Sequence, residues 1–172
     1  MADFIFGMLA HTPVWVYALF VFLLYRGIKA RKPATVALEK LALIPAIFLV
    51  WDIYDLVIYR DPTIITYLQW VVGILSGAVV GYMLINPHRL SRSAVPRNIH
   101  RPADYSALPF MLLAFSVKYV LGVLNAIAPD VLRQPVMSAL AIITGGVFAG
   151  VFVGKFTRYV SFYLRAPAQN HS

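Results

Sequence analysis

The sequence predicts an all-α fold, a polytopic bundle of five transmembrane helices forming a single membrane domain over residues 1–172. Two observations carry the prediction. The chain is 60% apolar and only 13% charged, with a mean hydropathy of +0.75, whereas soluble domains run at about 45–50% apolar and about 25% charged. Its apolar residues also gather into five blocks of membrane-spanning length, about 18–23 residues each, instead of spreading over amphipathic stripes.

The blocks cover residues 13–30, 36–59, 62–85, 107–128 and 135–159, the last continuing toward 164. Thr12-Pro13, Asp61-Pro62 and Gln134-Pro135 each place a polar residue before a proline, which suits an N-cap followed by the first helical position. Asn86-Pro87 stops the third helix, because the residue before a proline is pushed out of helical geometry. Residues 14–25 alone would reach only about 18 Å, so the first helix runs on past Arg26, whose long side chain snorkels. Residues 4–10 then form a short interfacial segment. Asp3 and the lack of any Lys or Arg before the first block argue for a retained helix and against a cleaved leader.

The basic residues flank the blocks, so the net charge of +8 reads as a topology signal and not as a nucleic-acid surface. Arg26, Lys29, Arg31, Lys32 and Lys40 follow the first block; Arg89, Arg92, Arg97 and Arg101 follow the third; Arg158 and Arg165 lie at the end of the last. The opposite side holds Arg60 and Arg133 against Asp3, Asp61 and Asp130. The expectation is an outside N-terminus and a cytoplasmic C-terminus. No cysteine is present, which excludes disulfides and thiolate chemistry.

Two glycine ladders stand out. Gly73, Gly77 and Gly81 share one face of the third helix; Gly146, Gly150 and Gly154 share one face of the fifth. Four-residue spacing lets another backbone approach closely. The expected role is helix packing, within the chain or between copies of it, and two ladders in so small a chain are compatible with a homo-oligomer or a larger membrane complex. The second and third helices, and the fourth and fifth, then resemble parallel copies of one hairpin with the first helix added. Convergence accounts for the likeness as well as duplication does.

The ionisable residues inside the blocks carry the most information. Asp52 and Asp55 are three residues apart on one side of the second helix. A carboxylate at that depth costs on the order of 3 kcal/mol unless it is paired, hydrated or protonated. Lys118 in the fourth helix is the expected partner, with Asn125 two turns further out, and Tyr67, Gln69 and Trp70 lie at similar depth on the third helix. Together they would line a polar site open to the outside; the plainer reading is an ion pair that fixes helix register. Lys155 lies close enough to the cytoplasmic edge to snorkel. His11 is expected at the outer mouth. The basic segment 88–101, with little apolar material, is expected to attract anionic lipid headgroups through Arg89, Arg92, Arg97 and Arg101.

Enzyme and metal signatures are missing. No H-E-x-x-H spacing or nucleophile elbow occurs, and Tyr54-Asp55 lacks the second aspartate of the intramembrane aspartyl proteases. No cofactor and no catalytic residue is expected, and nucleic acid would need aromatic platforms or a folded module.

Thr12-Pro13-Val14-Trp15 opening the first helix, the basic exit from Arg26 to Lys32 and the pair Lys118-Tyr119 resemble small five-helix bacterial inner-membrane proteins of uncharacterised families. The resemblance covers most of the chain and implies a bacterial cytoplasmic membrane; it carries over no activity. The functional expectation is a transporter- or channel-like or a proton-coupled protein with an outward-facing polar site. The alternatives are a non-catalytic subunit assembling through the glycine faces, and a lipid-sensing protein using the basic loop.

Overall fold

A computed structural model describes residues 13–165. The readings made for His11 and for residues 4–10 lie outside them. The order is α1 (Val14–Ala30), β1 (Ala34–Ala37), α2 (Leu38–Tyr59), α3 (Ile64–Leu84), a 3-10 turn (Pro87–Arg89), β2 (Ser91–Arg92), β3 (Asn98–Arg101), α4 (Ala107–Ile127), a short α5 (Pro129–Arg133) and α6 (Pro135–Arg165). Among the described residues, α2, α3, α4 and α6 are long and apolar enough to cross a membrane. Helix α1 has 17 residues, about 25 Å of rise.

The expected helices are present, with ends displaced by a few residues. Thr63, not Asp61, caps α3: its Oγ1 accepts from the Thr66 amide at 3.2 Å. The last helix runs to Arg165, one residue past the 164 toward which its block was expected to continue. Pro45 sits inside α2 and cannot donate to the carbonyl four residues earlier.

The all-α expectation needs one correction. Residues 34–37 and 98–101 pair antiparallel, Ala34 opposite Arg101 and Ala37 opposite Asn98, and β2 adds on the far side of β3. Segment 88–101 is therefore a small sheet layer against the ends of the helices. Ile99 and Leu90 are buried with Ile85 and Tyr159, so the loop has its own apolar core. Arg97 turns the chain into β3 with φ 61, a conformation that L-residues rarely adopt. Its carbonyl accepts from the Leu38 amide at 3.0 Å and its amide donates to the Tyr163 hydroxyl at 3.0 Å, contacts that hold it there.

Helices α3 and α6 run parallel with their ladders facing each other. A Cβ on Gly73 would lie 2.6 Å from the Ile143 carbonyl, and one on Gly146 2.7 Å from the Trp70 carbonyl; Gly77, Gly81, Gly150 and Gly154 meet backbone as closely. Close backbone approach between small residues is how helices gain packing where lipid removes the hydrophobic drive. Both ladders are occupied inside one chain, against each other, and neither is left open toward a second protomer. Helix α2 packs on α6, while the main partner of α4 is α1, where Gly27 lies under Leu108. The central core joins Leu23, Phe48, Ala114, Phe115, Ala149 and Phe152, and the rings of Phe48 and Phe152 stack at 4.9 Å.

Candidate functional site

Lysines on two helices bind carboxylates at opposite ends of that core. The first cluster is the one expected from the sequence. Asp52 and Asp55 leave α2 on the same side, and Lys118 of α4 lies between them. Its ammonium pairs with Asp52 and with Asp55, the latter at 2.6 Å. Asp52 is 2% exposed and Lys118 5%, so solvent screens their attraction little. Trp70 of α3 donates its indole N–H to the other Asp52 oxygen at 3.2 Å. Gly145 of α6 makes room for the pair, since a Cβ there would lie 3.0 Å from Asp52 Oδ1 and 3.2 Å from Lys118 Nζ.

A cavity of about 20 Å³ adjoins the cluster, lined also by Arg60, Asn125 and Ile142. That is room for roughly one water molecule. Arg60 closes the α2 end by donating to the Leu132 carbonyl at 2.9 Å. Burial lowers the Arg60 guanidinium from its ordinary value, and the charge of Asp55 opposes that shift. Of the residues expected here, Asp52, Asp55, Lys118, Asn125 and Trp70 come together. Gln69 and Tyr67 do not line the cavity; Gln69 is half-buried and Tyr67 exposed elsewhere on α3. The pocket beside the cluster is much smaller than the open polar cavity expected.

The second cluster went unforeseen. Lys155 of α6 does not snorkel: it is 5% exposed and its ammonium contacts Asp104 at 2.8 and 3.2 Å and the Ser106 hydroxyl at 2.6 Å. Asp104 also accepts from the Ser106 amide at 3.1 Å and the Ser106 hydroxyl at 2.6 Å. The Asp104 amide donates to the Ala30 carbonyl at 2.9 Å, which ties the loop before α4 to the end of α1. Burial pushes the Asp104 carboxyl up, but Lys155 and the Ser106 hydrogen bonds outweigh it and hold the carboxyl below its ordinary value. The signal available in the sequence was Asp104 two residues before Ser106 ahead of an apolar block, the pattern of a turn that caps a helix entry.

The four loop arginines separate. Arg89 and Arg97 are exposed, and Arg97 pairs with Glu39 at 3.2 Å. Arg92 lies over the Tyr163 ring at 4.3 Å. Arg101 is buried, 6% exposed, and donates to the carbonyls of Ala30 at 2.8 Å and Pro102 at 3.2 Å. It is therefore not a free headgroup contact on the outer surface of the loop.

No protein-family model matches this sequence, and no curated protein or solved structure matches it either. Among the described residues no group of three His, Cys, Asp or Glu side chains is arranged to hold a metal ion.

Proposed function

We propose that this chain is a small polytopic membrane protein, transporter- or channel-like and proton-coupled, with Lys118, Asp52 and Asp55 as its working site. The observation that carries the reading is one buried ammonium shared by two carboxylates beside space for a single water. Ionisable groups at membrane depth are costly, and by default they mark ion or proton pathways. With two acceptors for one ammonium, a proton arriving at either carboxylate releases Lys118 to the other. Such an exchange needs no large motion. The stacked Phe48 and Phe152 separate this site from the Lys155 end, and apolar constrictions of that kind gate conduction pathways by excluding water.

The proposal includes five spans. Helix α1 supports the fifth: Val14, Tyr17, Val21, Tyr25 and Ile28 leave an apolar outer face, and about 25 Å of helix falls only slightly short of the hydrocarbon thickness of about 30 Å. The basic residues around the sheet support a cytoplasmic location for that end. The resemblance to bacterial inner-membrane proteins supports the cytoplasmic membrane of a bacterium.

Proteoliposomes loaded with a pH-sensitive dye and subjected to a pH step test the reading. Wild-type protein should collapse the gradient faster than protein-free vesicles. Asp52→Asn and Asp55→Asn should each slow the collapse on the order of 100-fold, the scale of one positioned proton carrier. Asp55 is partly exposed, so its variant keeps the test open if the Asp52 variant folds poorly. Wild-type rates in both variants would remove the proposal.

A further inference from the structure

At the sheet-bearing end a cavity of about 250 Å³ opens between α1, α2, α4 and α6, with β1 and β3 at its rim. Its inner wall is apolar, formed by Ile44, Pro45, Met111, Phe152 and Phe156. Its polar wall carries Arg26, Lys29, Lys40, Arg101 and Lys155 against a single carboxylate, Asp104. That carboxylate is already engaged by Lys155.

Arg26, Lys29 and Arg101 are hydrogen-bonded without being neutralised. Arg101 donates to the Ala30 and Pro102 carbonyls, and Arg26 donates to the Lys40 carbonyl at 2.5 Å, bridging α1 and α2 across the cavity. A carbonyl satisfies an N–H but leaves the formal charge in place. Lys29 reaches only the hydroxyl and ring of Tyr25. Among the described residues none of Arg26, Lys29, Lys40 and Arg101 has a carboxylate partner. A buried guanidinium such as Arg101 is costly without a counter-charge, and the cavity beside it has the space for one.

We propose that this cavity binds the oxyanion head of a phosphate ester that carries no cation of its own, with the polar wall taking the phosphate and the apolar wall the first carbons attached to it; the ammonium of a choline head would meet the same cationic wall and be disfavoured. The sign of the wall excludes a cation. The volume lies just below the roughly 300–1,000 Å³ of small-molecule pockets, so a headgroup fits and a whole lipid does not. Basic pockets between membrane helices are suited to phospholipid heads; a free phosphate shares the chemistry. The site stands apart from the Lys118 cluster, and its test is independent of proton flux.

Native mass spectrometry of the full-length protein released from nanodiscs of equal phosphatidylglycerol and phosphatidylcholine measures what is retained. Inorganic phosphate competition on the same sample separates the two sources. Retention of phosphatidylglycerol over phosphatidylcholine supports the lipid source; displacement by millimolar inorganic phosphate supports the soluble one. The double variant Lys29→Gln/Lys40→Gln removes two exposed cations that make no ion pair, and it should weaken retention or phosphate competition on the order of 30-fold. Arg89→Gln, outside the cavity, should leave it unchanged. Equal retention of both lipids with no effect of phosphate, or wild-type behaviour of the double variant, would overturn the assignment.

Discussion

The two ends of the bundle use the same device in opposite electrostatic settings. Around Lys118 two carboxylates face one ammonium, Arg60 stands nearby, and the space left is about 20 Å³. Around Lys155 one carboxylate is satisfied, four more cations line the wall, and the space is about 250 Å³. A buried lysine thus marks neither a ligand site nor a structural strut by itself. Charge balance and free volume distinguish the two. On the readings proposed above, the balanced cluster with little free volume would exchange protons internally, whereas the cation-rich, roomier one would take an anion from outside.

Replacing each lysine by methionine sharpens this contrast most strongly. Lys118→Met strands two carboxylates, one of them 2% exposed, and should destabilise the protein by about 3–5 kcal/mol, the cost of breaking a buried pair from one side. Lys155→Met should cost about 1–3 kcal/mol, because Asp104 keeps its two Ser106 hydrogen bonds and borders the open cavity. Thermal unfolding in detergent compares them, and equal losses would erase the distinction between the two ends.

The Asp104 end should also respond to acid. Its carboxyl is held below the ordinary value of 3.8 by Lys155 and Ser106, against the opposing effect of burial. A lowered native pKa adds stability that is complete above the unfolded value and is lost as pH falls through the native one. Melting temperature should therefore fall on acidification below about pH 4, and Asp104→Asn should flatten that part of the curve. A variant with the wild-type acid slope would show that the Lys155 pairing contributes nothing there.

The smallest effect is expected at the surface. Arg97 and Glu39 are paired at 3.2 Å with side chains 74% and 57% exposed, so Glu39→Gln should change stability by less than about 0.5 kcal/mol. A loss comparable to that of Lys155→Met in the same melting assay would mean that exposed and buried pairs are not separated by solvation in this protein.

Much of the Lys118 cluster was legible because its signal is local. Asp52 and Asp55 are three apart inside an apolar block, and few ionisable groups at similar depth compete for them. The Lys155 cluster was not. Lys155 sits near a helix end where snorkelling is the usual outcome, and its partner Asp104 lies 51 residues earlier, outside any span. Gln69 failed for a related reason: depth can be estimated from residue number, but facing cannot when α3 turns its glycine side to α6. The sheet was missed because strands of two to four residues, such as Ser91–Arg92 and Ala34–Ala37, are too short to show alternation against the basic background.

Hydropathy, prolines and charge placement by themselves determined the long apolar helices, their approximate ends and the presence of close-packing faces at Gly73–Gly81 and Gly146–Gly154, since each depends on a run of neighbouring residues. Tertiary structure alone decided that the two glycine faces meet each other, that Lys155 turns inward to Asp104, and that cations from α1, α2, β3 and α6 surround one cavity. Those outcomes depend on which helices become neighbours, and spacing along one helix does not encode the identity of the helix opposite.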